Sequence, residues 1–157
     1  MVKFENNALE NLMNNFKQWF DRCIGDWASQ RRYIYNMKTK KPVNLTTDFT
    51  ILESNIGEWD YTVMWKGQTK GTMHLLISGD QLHRSVGYFT EEPTSSLLHR
   101  VDYDTIAFYT KYDGMRFREE IRLCSSDNLR LRQTIGYNLK TGEPSLLGQY
   151  GEWRINR

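Results

Sequence analysis

A chain of 157 residues, 39% hydrophobic and 25% charged, can build one folded domain with one sizeable core and is too short for two of ordinary size. Its 21 basic and 19 acidic residues leave a formal charge of +2, too even for nucleic acid or an anionic membrane surface to be the main partner. Two cysteines (Cys23, Cys124) exclude a disulfide framework, three scattered histidines argue against a metal site, and no apolar run approaches the ~18 residues of a membrane span. The N-terminus has no signal-peptide core, so the expectation is a single cytosolic domain over 1–157.

Residues 5–23 carry the one good helical pattern. Leu9, Leu12, Met13, Phe16, Phe20 and Cys23 fall on one stripe at spacings of three and four, and Gly25 stops the run. After Gly25 nearly everything reads as short strands, near 26–36, 47–55, 58–66, 70–78, 82–90, 96–103, 105–112, 116–125, 128–137 and 146–156. They are cut by turn signals such as "SGDQ", "YDGM", "SSDN" and "LKTGEP". The short connections call for antiparallel neighbours, and about ten meandering strands close into a barrel to remove their edges. A barrel of that size leaves room for a ligand. Gly25-x-Trp27, on the first strand after a short helix, resembles the signature of lipocalin-like ligand barrels. In those an indole plugs the closed end and a last-strand arginine, here Arg154, packs over it.

The last three strands leave open which side faces inward. Arg118, Glu120 and Arg122 oppose Phe117, Ile121 and Leu123; Arg130, Arg132 and Thr134 oppose Leu129, Leu131 and Ile135; Tyr150, Glu152 and Arg154 oppose Leu147, Trp153 and Ile155. One reading puts the apolar side in the core and the charges in water. The other turns the Arg/Glu side into a cavity and packs the apolar side under the N-terminal helix. Such a lumen is costly to desolvate unless an anionic, hydrogen-bonding ligand satisfies it.

"GDWASQRRYIY" at 25–35 resembles the opening stretch of the S/U-type phycobiliprotein lyases, and further pieces are similar in order. These are Trp59 and Trp65 in "EWDYTVMW", the middle region beginning "VGYFTEEPTSS", the glutamate-bearing strand and "NLRLR" in "EEIRLCSSDNLRLRQT", and a terminal Glu-x-Arg in "YGEWRINR". The resemblance covers about residues 16–156. It implies a ten-stranded antiparallel, up-and-down lipocalin-like β-barrel with an N-terminal helix. It also implies a lyase that binds a linear tetrapyrrole, phycoerythrobilin or phycocyanobilin, and joins it by a thioether to a cysteine of a phycobiliprotein subunit. The tetrapyrrole is then a substrate, and no permanent cofactor, metal, nucleic acid or membrane is expected. The partner is an apo-subunit of phycoerythrin or phycocyanin type in a cyanobacterial-type cytosol. Whether the lyase acts alone, as a homodimer or with a related lyase stays open, as does a non-catalytic barrel that carries a bilin or a lipid such as a fatty acid without transferring it.

The chemistry of that substrate suggests roles. Its propionates call for guanidinium forks, with Arg31, Arg130, Arg132 and Arg154 as candidates and Arg32 left in solvent. Its protonated nitrogens call for a carboxylate, for which the resemblance offers Glu120 and Glu152, with Glu119 facing away. Trp59, Trp65 and Tyr33 are candidates to stack on the rings. Departures are visible too: Arg32-Tyr33-Ile34 follows Arg31, "IRLC" follows Glu120, and Tyr150-Gly151 precedes Glu152 where relatives carry a small residue.

Overall fold

The computed structural model describes residues 16–87 and 92–155. Ten strands follow one another: β1 (Gly25–Ile34), β2 (Pro42–Glu53), β3 (Tyr61–Gly67), β4 (Lys70–Ser78), β5 (Gln81–Arg84), β6 (Thr94–Arg100), β7 (Thr105–Tyr112), β8 (Met115–Cys124), β9 (Leu129–Asn138) and β10 (Pro144–Arg154). Each pairs antiparallel with its sequence neighbours, and β10 pairs with β1 to close the barrel. The lipocalin-like fold expected from the sequence is the one found. Residues 16–21 are helical, and the earlier part of the expected helix, with Leu9, Leu12 and Met13, lies outside the described residues.

Alternation explains why these segments are strands. On β4, Met73, Leu75 and Ile77 are buried while the residues between them are not. Turn chemistry fixes several joins. β7 and β8 are linked by Asp113-Gly114, both at positive φ (52° and 70°), the backbone of a tight hairpin turn whose twist matches the strands. Strand β2 starts about five residues earlier than its pattern predicts. Its outer residues Asn44, Thr46 and Asp48 are polar and exposed, and Pro42 heads the strand, so only pairing with β1 from Ile34↔Pro42 onward reveals it.

The helical end does not lie beneath the outer apolar side of β9 and β10, as the inward-charge reading supposed. It closes one end of the barrel. Phe16, Trp19, Phe20 and Cys23 join one core with Trp27, Phe49, Ile51, Tyr61 and Phe108, and Phe20 stacks on Tyr61 with ring centroids 5.7 Å apart. The Trp19 indole donates to the Asp104 carbonyl at 2.8 Å. Leu129, Leu131 and Trp153 on the outer side remain 40%, 55% and 41% exposed.

The closed end is tied down by two arginines. Arg154 lies over the Trp27 ring at 4.4 Å and donates to the carbonyls of Ile24, Arg22 and Asp127 at 2.6, 2.9 and 2.8 Å. Trp27 itself donates to the Cys23 carbonyl. Gly25 is required here: its φ is +139°, and a Cβ would run into the Arg154 guanidinium. Arg22 pairs with Asp127 (2.8 Å) and Asp104 (2.6 Å), gathering the β6–β7 and β8–β9 turns under the helix.

Candidate functional site

Above that plug the barrel encloses a cavity of about 350 Å³, within the range of small-molecule sites. Its floor is Trp19 and Phe20, and its wall mixes aliphatic side chains with Arg31, Glu119, Arg130 and Arg132. Antiparallel register decides which charges share this wall, because directly paired residues point to the same side. Arg130 faces Glu152, Arg132 faces Tyr150 and Thr134 faces Gly148 across β9 and β10. Ser29 faces Glu152 and Arg31 faces Tyr150 across β1 and β10.

Glu152, whose side chain is fully buried, lies at the centre of the charged wall. Its carboxylate stands 3.2 Å from Arg130 Nε, 3.4 Å from Arg132 Nη1 and 3.9 Å from Arg31 Nη2. Burial alone would raise its pKa, but the guanidiniums of Arg132 and Arg130, a hydrogen bond from Ser29, and Arg31 together hold it below the usual carboxylate range. Arg31 is steered by its Nε donating to Ser29 Oγ at 3.0 Å. Aromatic faces carry the rest of the cationic charge. Arg132 lies 4.5 Å from the Tyr150 ring centroid, Arg31 5.4 Å from the same ring, and Arg130 5.3 Å from Phe49. The Tyr150 phenol is pushed well above its ordinary pKa, chiefly by burial, and stays protonated.

Of the two glutamates on β8, the structure corrects the choice. Glu120 points outward, pairing with Arg118 at 3.0 Å, and does not line the cavity. Glu119 lines it, accepting from Arg132 Nη2 at 3.2 Å and from Thr134 Oγ1 at 3.0 Å. The reason is register: Ile121 pairs with Arg132 and Glu119 with Thr134, so the inward arginines of β9 bring the apolar side of β8, and Glu119, inward with them. On β9 and β10 the charged side does face the lumen, on β8 it does not.

The other candidates divide. Arg31, Tyr33, Trp65, Arg130 and Arg132 line the cavity, while Arg32 is exposed. Glu152 sits behind the arginines rather than on the lining. Arg154 is a correction: its guanidinium is spent on Trp27 and three carbonyls at the closed end. Trp59 is another, because it sits on the β2–β3 connection with its ring 5.9 Å from His74 and does not line the cavity. Besides Glu119, the lining residues missed by the sequence reading include Tyr150 and Arg84. Tyr150 shares the parity of Glu152, and Arg84 shares that of the core residue Leu82, which was the available signal.

Neither cysteine lines the cavity; burial pushes the Cys23 thiol up to about 11. Among the described residues no cluster of His, Cys, Asp or Glu could hold a metal ion, and no helix is long and apolar enough to cross a membrane.

Comparison with known proteins agrees with this architecture. A family model described as CpeS-like protein matches residues 50–155. A Nostoc sp. (strain PCC 7120) protein, provisionally named phycocyanobilin lyase CpcS 2, is 28% identical, the match covering 88% of this chain and 89% of that one. A Picosynechococcus sp. protein, provisionally named chromophore lyase CpcV, is 25% identical over 87% of this chain and 80% of its own. Among solved structures, the S-type phycobiliprotein lyase CPES from Guillardia theta superposes with a TM-score of 0.71 at 19% identity, covering 90% of this chain and 93% of that one. With more than half its length matched by the family model, this chain belongs to the CpeS-like family of S/U-type phycobiliprotein lyases.

Proposed function

We propose that the protein binds a linear tetrapyrrole in the barrel and delivers it to a cysteine of an apo-phycobiliprotein subunit. One observation carries the reading: Arg31, Arg130 and Arg132 converge on a cavity wall around the buried carboxylate of Glu152, with Glu119 at the edge. Three guanidiniums against two carboxylates leave this cluster with an excess of one positive charge before any ligand enters. Propionates are the complement, since each accepts two parallel N–H donors from a guanidinium fork. A fatty-acid carrier would need one such fork and an otherwise apolar wall.

In this reading Glu152 orients the arginines and Glu119 meets the pyrrole nitrogens. A carboxylate there favours the protonated chromophore, which makes the exocyclic ethylidene a better electrophile. The acceptor supplies the nucleophile. Its thiol adds across the ethylidene double bond: sulfur bonds to carbon, the thiol proton ends on the pigment, and nothing leaves. The barrel contributes orientation and exclusion of water. Trp65 and Tyr33 border the pigment. Phycocyanobilin and phycoerythrobilin are the two pigments the site is proposed to accept, the former being the one the Nostoc relative is named for.

The test is spectroscopic. Purified protein mixed with either pigment is expected to give a red-shifted complex, and adding an apo-subunit of phycocyanin or phycoerythrin type to leave colour on it that survives denaturation. A shifted complex that colours no acceptor, alone or with a related lyase added, would mark a carrier. No shift with either pigment rejects the proposal.

A further inference from the structure

The strand order places β5 five positions from β10 whichever way the barrel is followed, so the two strands stand on opposite walls. Arg84 is on β5, 5% exposed, and lines the same cavity as the arginine cluster. Its Nη1 donates to Ser96 Oγ at 2.5 Å, and Ser96 shares a further 2.5 Å hydrogen bond with Thr110 Oγ1. The guanidinium carbon lies 6.0 Å from the Phe108 ring centroid. A guanidinium carries five N–H donors in a rigid fork, and the two hydroxyls fix the direction of this one. The cavity therefore has a donor group at each side, with an apolar belt that includes Leu75, Phe108 and Ile121 in the same lining.

A linear tetrapyrrole curled into an open ring has the matching layout. Its two propionates leave the two inner rings along one edge. Its two terminal rings each carry a lactam carbonyl, and in the curled form these meet at the opposite edge. We propose that Arg84, braced by Ser96, donates hydrogen bonds to the terminal-ring lactam oxygens and so holds the pigment curled, with its propionates on Arg31, Arg130 and Arg132. This rests on the tetrapyrrole reading above and adds the pigment's orientation and shape. The reacting terminal ring lies beside β5, and no covalent bond to Arg84 forms or breaks.

The test uses the full chain, as wild type, Arg84→Met, Arg84→Lys and Arg31→Met, titrated with phycocyanobilin and with its propionate dimethyl ester. Two quantities are read: the dissociation constant, and the ratio of visible to near-ultraviolet absorption, which rises as a bilin opens from curled to extended. Wild type is expected to keep a low ratio with both ligands. Arg84→Met is expected to weaken both ligands about ten-fold, the scale of a charge-assisted hydrogen bond, and to raise the ratio. Arg31→Met is expected to weaken the free acid alone and leave the ratio low. If Arg84→Met does not fold, Arg84→Lys, which keeps the charge and loses the fork, is expected to raise the ratio in the same way. Loss of affinity confined to the free acid would make Arg84 a carboxylate anchor and overturn the proposal, as would an unchanged ratio in Arg84→Met and Arg84→Lys. An extended spectrum in wild type would overturn it while leaving the tetrapyrrole reading intact. Failure of wild type to bind either ligand would overturn that reading itself.

Discussion

Glu119 and Glu120 are adjacent in the chain and lie on opposite sides of the barrel wall. Glu119 accepts from Arg132 and Thr134 inside the cavity, whereas Glu120 meets Arg118 at the surface. The pair is a built-in control. Glu119→Gln is expected to reduce the red shift of bound bilin, because the amide cannot favour a protonated chromophore. Glu120→Gln is expected to leave that shift unchanged and to move stability by less than ~0.5 kcal/mol, as for other exposed pairs. Absorption spectra of the two complexes at equal saturation check the shifts, and urea midpoints check the stability.

Glu152 makes a different demand. Removing its charge takes the buried carboxylate away from Arg130 and Arg132, although Arg132 keeps Glu119, and breaking a buried ion pair from one side costs about 3–5 kcal/mol. Glu152→Gln is expected to lose stability on that scale in urea unfolding. Its pKa is lower folded than unfolded, so the unfolded chain binds more protons in acid. The stabilisation is therefore fully present above the ordinary glutamate pKa of about 4.3 and is lost as pH falls through the depressed folded value. Wild type is expected to lose up to about 1.4 kcal/mol per pH unit from this group in that window, and Glu152→Gln to lack that contribution. A pH series of urea midpoints separates them.

At the level of elements, the closed end is built where β1 and β10 meet the helix. Gly25 gives β1 a start at φ +139° and leaves room for the Arg154 guanidinium, which in turn caps Trp27 and three carbonyls. Gly25→Ala is expected to cost about 1–3 kcal/mol from the disfavoured backbone alone, measured as a lower urea midpoint at unchanged slope. Arg22 works beside it. Its guanidinium holds the Asp127 carboxyl below the usual range, so that contact too weakens in acid, discounted because Asp127 is about a third exposed to solvent. The elements themselves were largely legible: nine of the ten strands begin within three residues of their sequence positions, because alternation and turn residues are local signals. β2 is the exception, its first half polar on the outer side and defined by pairing with β1.

For the whole molecule, closure of the ring converts a list of strands into a site. Trp59 and Trp65, six residues apart, separate once the barrel forms: Trp65 lines the cavity and Trp59 packs near His74 outside it. Arg84, unremarkable in "QLHR", becomes the donor facing the arginine cluster because β5 lies across from β10.

By itself the amino-acid sequence determined the strands, the turns between them, the barrel they form, and the arginine-rich composition of the last strands, since each of these follows from local propensity and a period of two. It could not determine how the parity of one strand couples to the next. That depends on register, which the β8–β9 turn sets through three consecutive residues at positive φ, Ser125 to Asp127. A shift of one residue there exchanges Glu119 for Glu120 in the lumen, and only the hydrogen-bonded tertiary structure decides between them.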